Sequence, residues 1–292
     1  MPTPTEEPTV RLVTPSEPQT TSTRPTLDDI ESFYRILYYG DPGLGKSTAI
    51  ASAAKLGRLV YIDADSGLKP KALRRHGIPT QNIEPYYDIT WEGLETLHRE
   101  LLMRLSEGEK FMLAWDTTTK TQDALLEPVV ARSVARDERK GKDRTQFDIG
   151  LDDRGVVVAQ MQKIMVRFHR LPCHLILGAH QRRDTDEDGR VRVNPAMSPS
   201  VITNFSGWMD CIIHMRTESF PDDETLADAE YLEFSGLTRP EGRFSAKDRF
   251  GILPKRMINP GFDRVVGYLD GEITRGKDPL QNAAIARRRN QP

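Results

Sequence analysis

The sequence predicts an α/β fold, in which a mostly parallel β-sheet is flanked by helices. Two observations predict this fold. Short apolar runs rich in β-branched and aromatic residues alternate with longer segments of helical periodicity. A glycine-rich turn also joins the first of these runs to the first helix. Strands that alternate with helices form parallel sheets that are covered on both faces, so we expect this architecture.

The individual elements follow from apolar spacing and from the Gly, Pro and polar residues that end each run. In order, they are a strand at 34–39, a helix at 47–56, a strand at 58–62, a helix at 91–106, a strand at 111–115, a helix reaching residue 134, a helix at 156–170, and strands at 174–178 and 211–215. Two later segments, AEYLEF and GRFSAK, predict shorter antiparallel strands near the C-terminus.

Three segments differ in composition. Residues 1–28 are rich in Pro, Thr, Ser and Glu and predict a disordered tail, because they cannot bury enough apolar surface to offset the entropy of ordering. Residues 29–275 contain all the predicted strands and helices and form the expected folded domain. Residues 276–292 end in IARRRNQP and predict a basic C-terminal tail.

Composition excludes several classes of protein. A net charge of −2 argues against a chain whose whole surface binds nucleic acid, although a local basic patch is compatible with it. Cys173 and Cys211 are the only cysteines, and without a C-x-x-C pair they predict neither a zinc site nor a disulfide scaffold. No apolar run approaches the roughly 20 residues that span a bilayer. We therefore expect a cytoplasmic protein with no membrane partner.

The segment YYGDPGLGKST contains the strongest motif of the chain, a full match to G-x-x-x-x-G-K-[ST] between a strand and a helix. In this setting backbone N–H groups and a helix N-terminus face phosphates. Lys46 would reach the outer phosphates and Ser47 would bind Mg²⁺, so we expect ATP and Mg²⁺ as cofactors. The predicted nucleotide contacts are Gly40, Asp41, Pro42, Gly43, Leu44, Gly45, Lys46, Ser47 and Thr48.

Acidic residues follow two of the predicted strands. Asp116 ends the apolar run FMLAW and is the second predicted metal residue, although an Asp at this position can also cap a helix. Asp63 and Asp65 follow the second strand, and either can be a turn residue or can orient the attacking water. We favour Asp65 for the catalytic role.

The order of these pieces, together with a further strand that ends in a His-Gln pair (HLILGAHQ), resembles the RecA-like P-loop ATPase core. More narrowly, residues 33–268 resemble phage-encoded RecA-like nucleotide-binding proteins, some of which act in single-strand annealing or recombination. The resemblance implies that Lys46, Ser47 and Asp116 contact phosphate and metal. Asp65 stands where the family carries a catalytic Glu, and its shorter side chain puts rapid hydrolysis in doubt.

The same resemblance implies two further catalytic contacts. Gln181 falls where the family has a polar residue that senses the γ-phosphate, and His180 can share that role; both can also be ordinary polar residues at the end of a strand. Lys247 and Arg249 resemble a Lys-x-Arg pair that reaches a neighbouring subunit's ATP, which implies a ring or a filament. The alternative for this pair is a charged hairpin end.

Single-stranded DNA is the partner that the resemblance implies. Two basic segments, 132–144 and 182–205, are the candidate DNA-binding loops, although acidic residues are interleaved in both. Asp188-Gly189 predicts a hairpin turn inside the second segment. Phe147 and Phe205 are candidates for base stacking or, more simply, for packing.

The function expected from the sequence is therefore an ATPase that acts on single-stranded DNA in recombination, annealing or repair. The alternative is a nucleotide-switched loader or scaffold for a replication or single-strand-binding protein, with little affinity for DNA. A small-molecule kinase is a third and weaker hypothesis.

Overall fold

The structure, a computed structural model, describes residues 31–185, 188–221 and 230–289. Every strand and helix named below lies in the unit formed by Phe33–Pro292. The predicted N-terminal tail, residues 1–28, lies outside the described residues. The domain boundaries expected from the sequence therefore stay predictions.

Strands and helices alternate through the first two thirds of this unit. The strands are β1 (Arg35–Tyr39), β2 (Leu59–Asp63), β3 (Ile83–Tyr86), β4 (Met112–Asp116), β5 (Leu175–Ala179), β6 (Gln181–Thr185), β7 (Val191–Pro195), β8 (Cys211–Pro221), β9 (Glu230–Leu237), β10 (Lys247–Asp248) and β11 (Arg256–Ile258). The helices are α1 (Lys46–Ala51), α2 (Pro70–Arg75), α3 (Trp91–Ser106), α4 (Thr118–Glu138), α5 (Leu151–His169), α6 (Pro199–Trp208), α7 (Phe262–Leu269) and α8 (Pro279–Arg289). A short 3₁₀ helix, Ser52–Lys55, continues α1.

Nine of the described strands form one large sheet in the order β11-β9-β8-β1-β5-β4-β2-β3, with β10 beside β8, and strands β6 and β7 form a separate two-stranded sheet. The six strands from β8 to β3 in this order run parallel to one another. Strand β9 is antiparallel to both β8 and β11. The predicted fold class is thus confirmed. Because parallel strands share their direction, β1, β5, β4 and β2 all end at the same edge of the sheet, and β5 lies between β1 and β4.

The hydrophobic core consists of two layers, one on each face of the sheet. Helices α3, α4, α5 and α6 pack on the face that contains Leu37, Tyr39 and Trp115. Helices α1 and α7 pack on the opposite face, with Tyr38 and Tyr61. Central strands buried on both sides need apolar residues at consecutive positions, which explains the continuous runs seen in the sequence.

Two predicted segments differ from the structure. The helix after Asp116 extends to Glu138, so Arg132 and Arg136 of the first basic segment lie on α4 and not in a loop. GRFSAK was expected to be a strand, yet within it only Lys247, at the start of β10, belongs to a named strand. This segment instead pairs through single bridges at Phe244, with Val193 and Glu241.

The second basic segment, 182–205, is not one loop. Strands β6 and β7 pair antiparallel, which confirms the predicted hairpin, and Gly189 at its turn has a φ of 75°. Helix α6 follows directly. None of the helices in the described part of the chain is long and apolar enough to cross a bilayer.

The C-terminal segment, predicted as a basic tail, contains helix α8. Gln281 joins this helix to β11, because its Oε1 accepts from the Ile258 N–H at 3.1 Å and its Nε2 donates to the Arg256 carbonyl at 2.7 Å. The helix therefore packs on the edge of the sheet next to β11.

Candidate nucleotide-binding and catalytic site

The phosphate loop, residues 40–45, leads from buried β1 into α1. Gly43 and Gly45 have φ values of 83° and 75°, in the left-handed region that glycine adopts at low cost. A Cβ at Gly45 would also lie 3.0 Å from Cδ1 of Phe234. The backbone shape of this loop, and its close contact with β9, therefore both require the glycines of the motif.

Lys46 is the first residue of α1 and is only 6% exposed. Its ammonium group donates to the carbonyl oxygens of Gly40 at 3.1 Å and Asp41 at 2.8 Å. Burial lowers the pKa of Lys46, and the nearby carboxylates of Asp116, Asp65 and Asp41 oppose this shift. The loop thus holds a buried cation among acidic groups, at the position where the motif predicts contact with the outer phosphates.

Asp116 ends β4 beside the phosphate loop. Its Oδ2 accepts from the Ser47 hydroxyl at 2.5 Å and from the Tyr61 hydroxyl at 2.8 Å. Burial raises the pKa of Asp116, while the hydrogen bonds from Ser47 and Tyr61 lower it. The alternative role as a helix cap does not apply, because Thr117 caps α4 by accepting from the Lys120 N–H at 3.2 Å.

The second oxygen of Asp116, Oδ1, is buried and has no hydrogen-bond partner among the described residues. A buried carboxylate oxygen without a partner is unusual, because its desolvation is not offset. The other oxygen, Oδ2, lies beside the Ser47 hydroxyl, and this carboxylate and hydroxyl together suit Mg²⁺, which binds through one or two carboxylates together with substrate phosphates. No group of three or more His, Cys, Asp or Glu suited to a metal occurs in the described part of the chain. The Ser47–Asp116 pair would therefore hold Mg²⁺ together with a nucleotide.

The structure distinguishes the two acidic residues that follow β2. Asp63 is buried, and its carboxylate accepts from the N–H groups of Gly67 at 2.8 Å and Leu68 at 3.2 Å, so it acts as a turn residue. Asp65 lies in the turn itself, with one oxygen 3.7 Å from Nε2 of His180. Of the two, Asp65 is thus the one whose carboxylate faces the residues that follow β5.

Gln181 bridges the phosphate loop and β8. Its Nε2 donates to Oδ2 of Asp41 at 2.6 Å, and its Oε1 lies 2.9 Å from Nε2 of His214. The adjacent His180 is held through its backbone N–H, which donates to Oγ1 of Thr119 at 3.0 Å. Burial and the charge of Lys46 lower the pKa of His180, so its imidazole is neutral at neutral pH.

His214 is a site residue that the sequence analysis missed. It is 3% exposed and lies between the rings of Tyr39 and Phe244, with centroid distances of 4.9 and 4.4 Å. Burial lowers the pKa of His214 to about 4, so the ring is neutral and donates from Nε2 to Gln181. Its only signal in the sequence is a polar residue inside the apolar run CIIHM.

A cavity of about 190 Å³ opens beside Gln181 and Asp41. We call it the arginine cleft, because Arg183, Arg216 and Arg243 line it. The guanidinium groups of Arg216 and Arg243 each lie 5.2 Å from the centre of the Phe244 ring, a cation–π distance. Arg183 was part of the predicted second basic segment, whereas Arg216, Arg243 and Phe244 were not predicted.

Lys247 and Arg249 lie far from the phosphate loop of their own chain. Lys247 pairs with Ile212 near the start of β8, whereas the phosphate loop follows the opposite end of the neighbouring parallel strand β1. The Lys247 ammonium donates to the Ser206 carbonyl at 2.8 Å, and Arg249 pairs with Asp210 at 2.8 Å. Their contact with a neighbour's ATP stays a prediction.

The positive charge of the first basic segment is partly neutralised by carboxylates, one in the segment and one on α5. Arg144 pairs with Asp137 at 3.0 Å and with buried Asp153. Of the two aromatic candidates for base stacking, Phe205 is 1% exposed and packs in the core, whereas Phe147 is 83% exposed.

One protein family model covers the residues of this site. A family model described as "AAA domain" matches residues 32–250, which include the phosphate loop, Asp116 and the β6–β7 hairpin. No curated protein sequence matches the chain. A solved structure, the crystal structure of flagellar accessory protein FlaH from Methanocaldococcus jannaschii, matches with a TM-score of 0.39 and 11% identity, over 77% of this chain and 84% of that chain.

Proposed function

The chain belongs to the AAA domain family of P-loop ATPases, and on that premise we propose that it binds ATP with Mg²⁺, hydrolyses the ATP and acts on single-stranded DNA. The process would be recombination, annealing or repair, as in the phage-type RecA-like proteins that the sequence resembles. The nucleotide chemistry rests on the phosphate loop and Asp116. The choice of DNA rests on one observation, the arginine cleft beside Gln181.

Hydrolysis would proceed by in-line attack of water on the γ-phosphorus. A bond forms between the water oxygen and phosphorus, the bond to the β–γ bridging oxygen breaks with its electron pair leaving on ADP, and one water proton passes to solvent. Lys46 is buried in the phosphate loop, where its charge would offset the charge that develops on the phosphates. Asp65 would accept a hydrogen bond from the attacking water. Ser47 and Asp116 would hold Mg²⁺, whose positive charge would lie beside the outer phosphates.

The arginine cleft has the chemistry that a nucleic-acid backbone needs. Arg183 has no hydrogen-bond or ion-pair partner among the described residues, and Arg243 is exposed beside it. Guanidinium groups bind phosphates through charge and paired hydrogen bonds, and an aromatic ring next to them offers a face for a base. Binding of this kind tolerates sequence and weakens with salt. These properties favour single-stranded DNA over a small metabolite.

Gln181 supports a link between the phosphate loop and the arginine cleft. It contacts Asp41 in the phosphate loop with one end of its amide and His214 in the wall of the cleft with the other. A change at the phosphate loop that moves Asp41 would alter the bonding of Gln181 and, through His214, the position of Phe244. ATP binding would in this way change the affinity of the cleft for DNA, and by linkage DNA would change the affinity for ATP.

Self-association into a ring or filament is part of this proposal. Lys247 and Arg249 bind the carbonyl oxygens of Ser206 and Gly207 at the end of α6, on the side of the sheet away from their own phosphate loop. In an assembly they would face a neighbour, where their charges would add to that of Lys46. Oligomer formation is thus expected to raise the rate of hydrolysis.

The second candidate function is a nucleotide-switched loader or scaffold for a replication or single-strand-binding protein. One observation favours it: Phe147 and Leu151 are 83% and 87% exposed on an ordered segment. Two large apolar side chains close in sequence and open to solvent suit a protein partner. This candidate predicts ATP binding that does not respond to DNA.

The experiment that tests the proposal is the rate of ATP hydrolysis with and without single-stranded DNA, at low and moderate salt. We expect DNA to raise the rate and salt to remove the effect. Arg183→Gln should reduce the stimulation and the salt dependence together, because it removes one phosphate contact. Arg99→Gln is the matched control, since Arg99 is an exposed arginine on α3, outside the cleft.

The outcomes separate the two candidates. If the rate is the same with and without DNA in the wild type, the DNA part of the proposal is wrong and the loader becomes the better hypothesis. If Arg99→Gln changes the stimulation as much as Arg183→Gln does, the DNA contacts lie elsewhere on the surface.

A further inference from the structure

We propose that a second cavity, at the opposite side of the phosphate loop from Gln181, is the subsite for the adenine base, with Asn259 as the residue that selects adenine and Phe234 as the ring that stacks on it. This inference rests on the proposed binding of ATP. It adds that the base of the nucleotide determines specificity and that Asn259 and Phe234 recognise this base.

The position of the cavity supports this assignment. Ser47, Asp116 and Gln181 mark the end of the site where the outer phosphates and Mg²⁺ would lie. The cavity, of about 400 Å³, begins at Gly45 and Thr48 and extends along the side of α1 that faces the turn between β11 and α7. A nucleotide whose phosphates occupy the loop would have its sugar and base on this side. The volume is within the range of roughly 300–1,000 Å³ that is usual for ligand pockets.

Phe234 and Asn259 form adjoining parts of the cavity wall. The Phe234 ring packs against Gly45, as the 3.0 Å distance to a Cβ built at that glycine shows. The backbone N–H of Asn259 donates to the Phe234 carbonyl at 2.8 Å, which ties the turn to β9. An aromatic ring that contacts the phosphate loop is placed to stack on a base whose phosphates the loop holds.

Asn259 has an unusual backbone, with a φ of 45°, where asparagine is among the few residues tolerated without glycine. Asn259 is an exposed residue of the cavity lining, and its side-chain amide has no hydrogen-bond partner among the described residues, so a ligand can reach it. An amide offers one donor and one acceptor side by side, which matches the N6 amino group and N7 of adenine. The unpaired amide is thus complementary to adenine.

The charged residues of the cavity are already engaged, which argues against guanine. Asp263 is the acidic side chain in the described lining, and its Oδ2 pairs with the Lys55 ammonium at 3.1 Å. Arg264 pairs with Asp278 and donates to the carbonyl of Asn259 at 3.1 Å. Guanine presents adjacent N–H donors at N1 and N2, which a free carboxylate would accept, and here the carboxylate is held by lysine.

The test is competition of ATP and GTP against a fluorescent ATP analogue for the wild type and three variants. Asn259→Gly keeps the backbone conformation and removes the amide. Asn259→Asp also tolerates this conformation and replaces the donor with a second acceptor. Phe234→Leu removes the aromatic ring but keeps an apolar side chain. Thermal unfolding of each variant shows whether the fold is intact.

We expect the wild type to bind ATP about tenfold more tightly than GTP, the discrimination that one bidentate amide contact provides. Asn259→Gly should bring the ratio close to one, and Asn259→Asp should shift it toward GTP. Phe234→Leu should weaken both nucleotides with little change in their ratio. Equal binding of ATP and GTP by the wild type, or an unchanged ratio in folded Asn259→Gly, would overturn the assignment. If the wild type binds neither ATP nor GTP, the proposed function itself is wrong.

Discussion

Two buried carboxylates, Asp116 and Asp153, illustrate how differently this chain uses charge. Both are almost fully buried, at 4% and 1% exposure. Asp153 is satisfied by its own chain: Oδ1 accepts from the Ser133 hydroxyl at 2.7 Å, and Oδ2 accepts from the Gly150 N–H at 2.8 Å and from Arg144. Asp116 has two donors on one oxygen and none on the other.

This difference in hydrogen bonding shifts the pKa values of the two carboxylates in opposite directions. The hydrogen bond from Ser133, with those from Gly150 and Arg144, lowers the pKa of Asp153. Burial raises the pKa of Asp116 above its usual range. Asp153 is therefore stabilised as an anion by the folded chain, and it joins α4 to the start of α5. Asp116 is destabilised as an anion until a cation arrives, which is the behaviour expected of a ligand-binding residue.

The largest effect should come from Lys46, the cation that lies beside Asp116. Lys46→Ala is expected to lower the rate of ATP hydrolysis by about 100-fold or more, because it removes a buried positive charge from the phosphate site. Circular dichroism should show an unchanged fold. Lys71→Ala, at an exposed lysine on α2 outside the described site, is the control and should keep the wild-type rate. Turnover near the wild-type rate in Lys46→Ala would contradict the assigned site.

Asp116→Asn should uncouple stability from activity. The folded state holds the Asp116 proton more tightly than the unfolded chain does, so this residue favours folding at low pH, and that contribution is lost as the pH rises through the raised pKa. Near neutral pH, without nucleotide or Mg²⁺, the variant should be more stable than the wild type and nearly inactive. The difference in unfolding free energy should disappear below the ordinary carboxyl pKa of 3.8. Urea unfolding at several pH values measures it, and a less stable variant at pH 7 would refute the prediction.

Asp153→Asn is the matched substitution at the other carboxylate, and it should act in the opposite direction. Because the pKa of Asp153 is lowered on folding, its contribution is present above the unfolded pKa and is lost as the pH falls through the folded value. At neutral pH the variant should lose roughly 1.5–3 kcal/mol of unfolding free energy, the usual value of a hydrogen bond to a charged group. ATP turnover should stay within about twofold, since the hydrogen-bond partners of Asp153 are Ser133, Arg144 and Gly150, none of which belongs to the site. A large loss of turnover would show that α4 and α5 contribute to the active site.

Much of the fold could be predicted from the sequence because its signals are local. Helix α3 has the predicted bounds of 91–106, since its leucines recur at helical spacing and Thr90 caps it by accepting from the Gly93 N–H at 3.0 Å. The central strands were predicted to within one or two residues at their starts, because their burial on both faces demands apolar runs. Strand β3 was missed: it is only partly buried and contains Pro85, so it has no such run.

Part of the site could also be predicted from local signals in the sequence. The phosphate loop has a sequence motif, and Asp116 and Gln181 follow apolar strands that end at one edge of the sheet. Apart from Arg183, which belongs to the predicted second basic segment, the arginine cleft had no such signal. Arg243 and Phe244 lie outside the named strands and reach the cleft through a backbone hydrogen bond from the Val193 N–H to the Arg243 carbonyl, at 2.8 Å, across 50 residues of sequence. Contacts of this kind depend on tertiary packing and leave no periodic pattern.

The smallest expected effect concerns the link between the phosphate loop and the arginine cleft. Gln181→Ala removes both the contact with Asp41 and the contact with His214. If Gln181 transmits the state of the phosphate loop, the variant should lose more of the DNA-stimulated rate than of the basal rate, by a factor of about five to ten, in line with typical coupling free energies. Gln81→Ala, at an exposed glutamine outside the site, is the matched control and should leave both rates unchanged.

The ratio of the two rates decides the role of Gln181, because each explanation moves it differently. A residue that only orients the phosphates or the water acts on every turnover, so its loss would lower both rates by the same factor. A residue that only supports the β6–β7 hairpin would lower DNA affinity, and saturating DNA would then restore the rate. Only a coupling residue lowers the stimulated rate selectively even at saturating DNA, because the cleft is then occupied and the phosphate loop no longer responds to it.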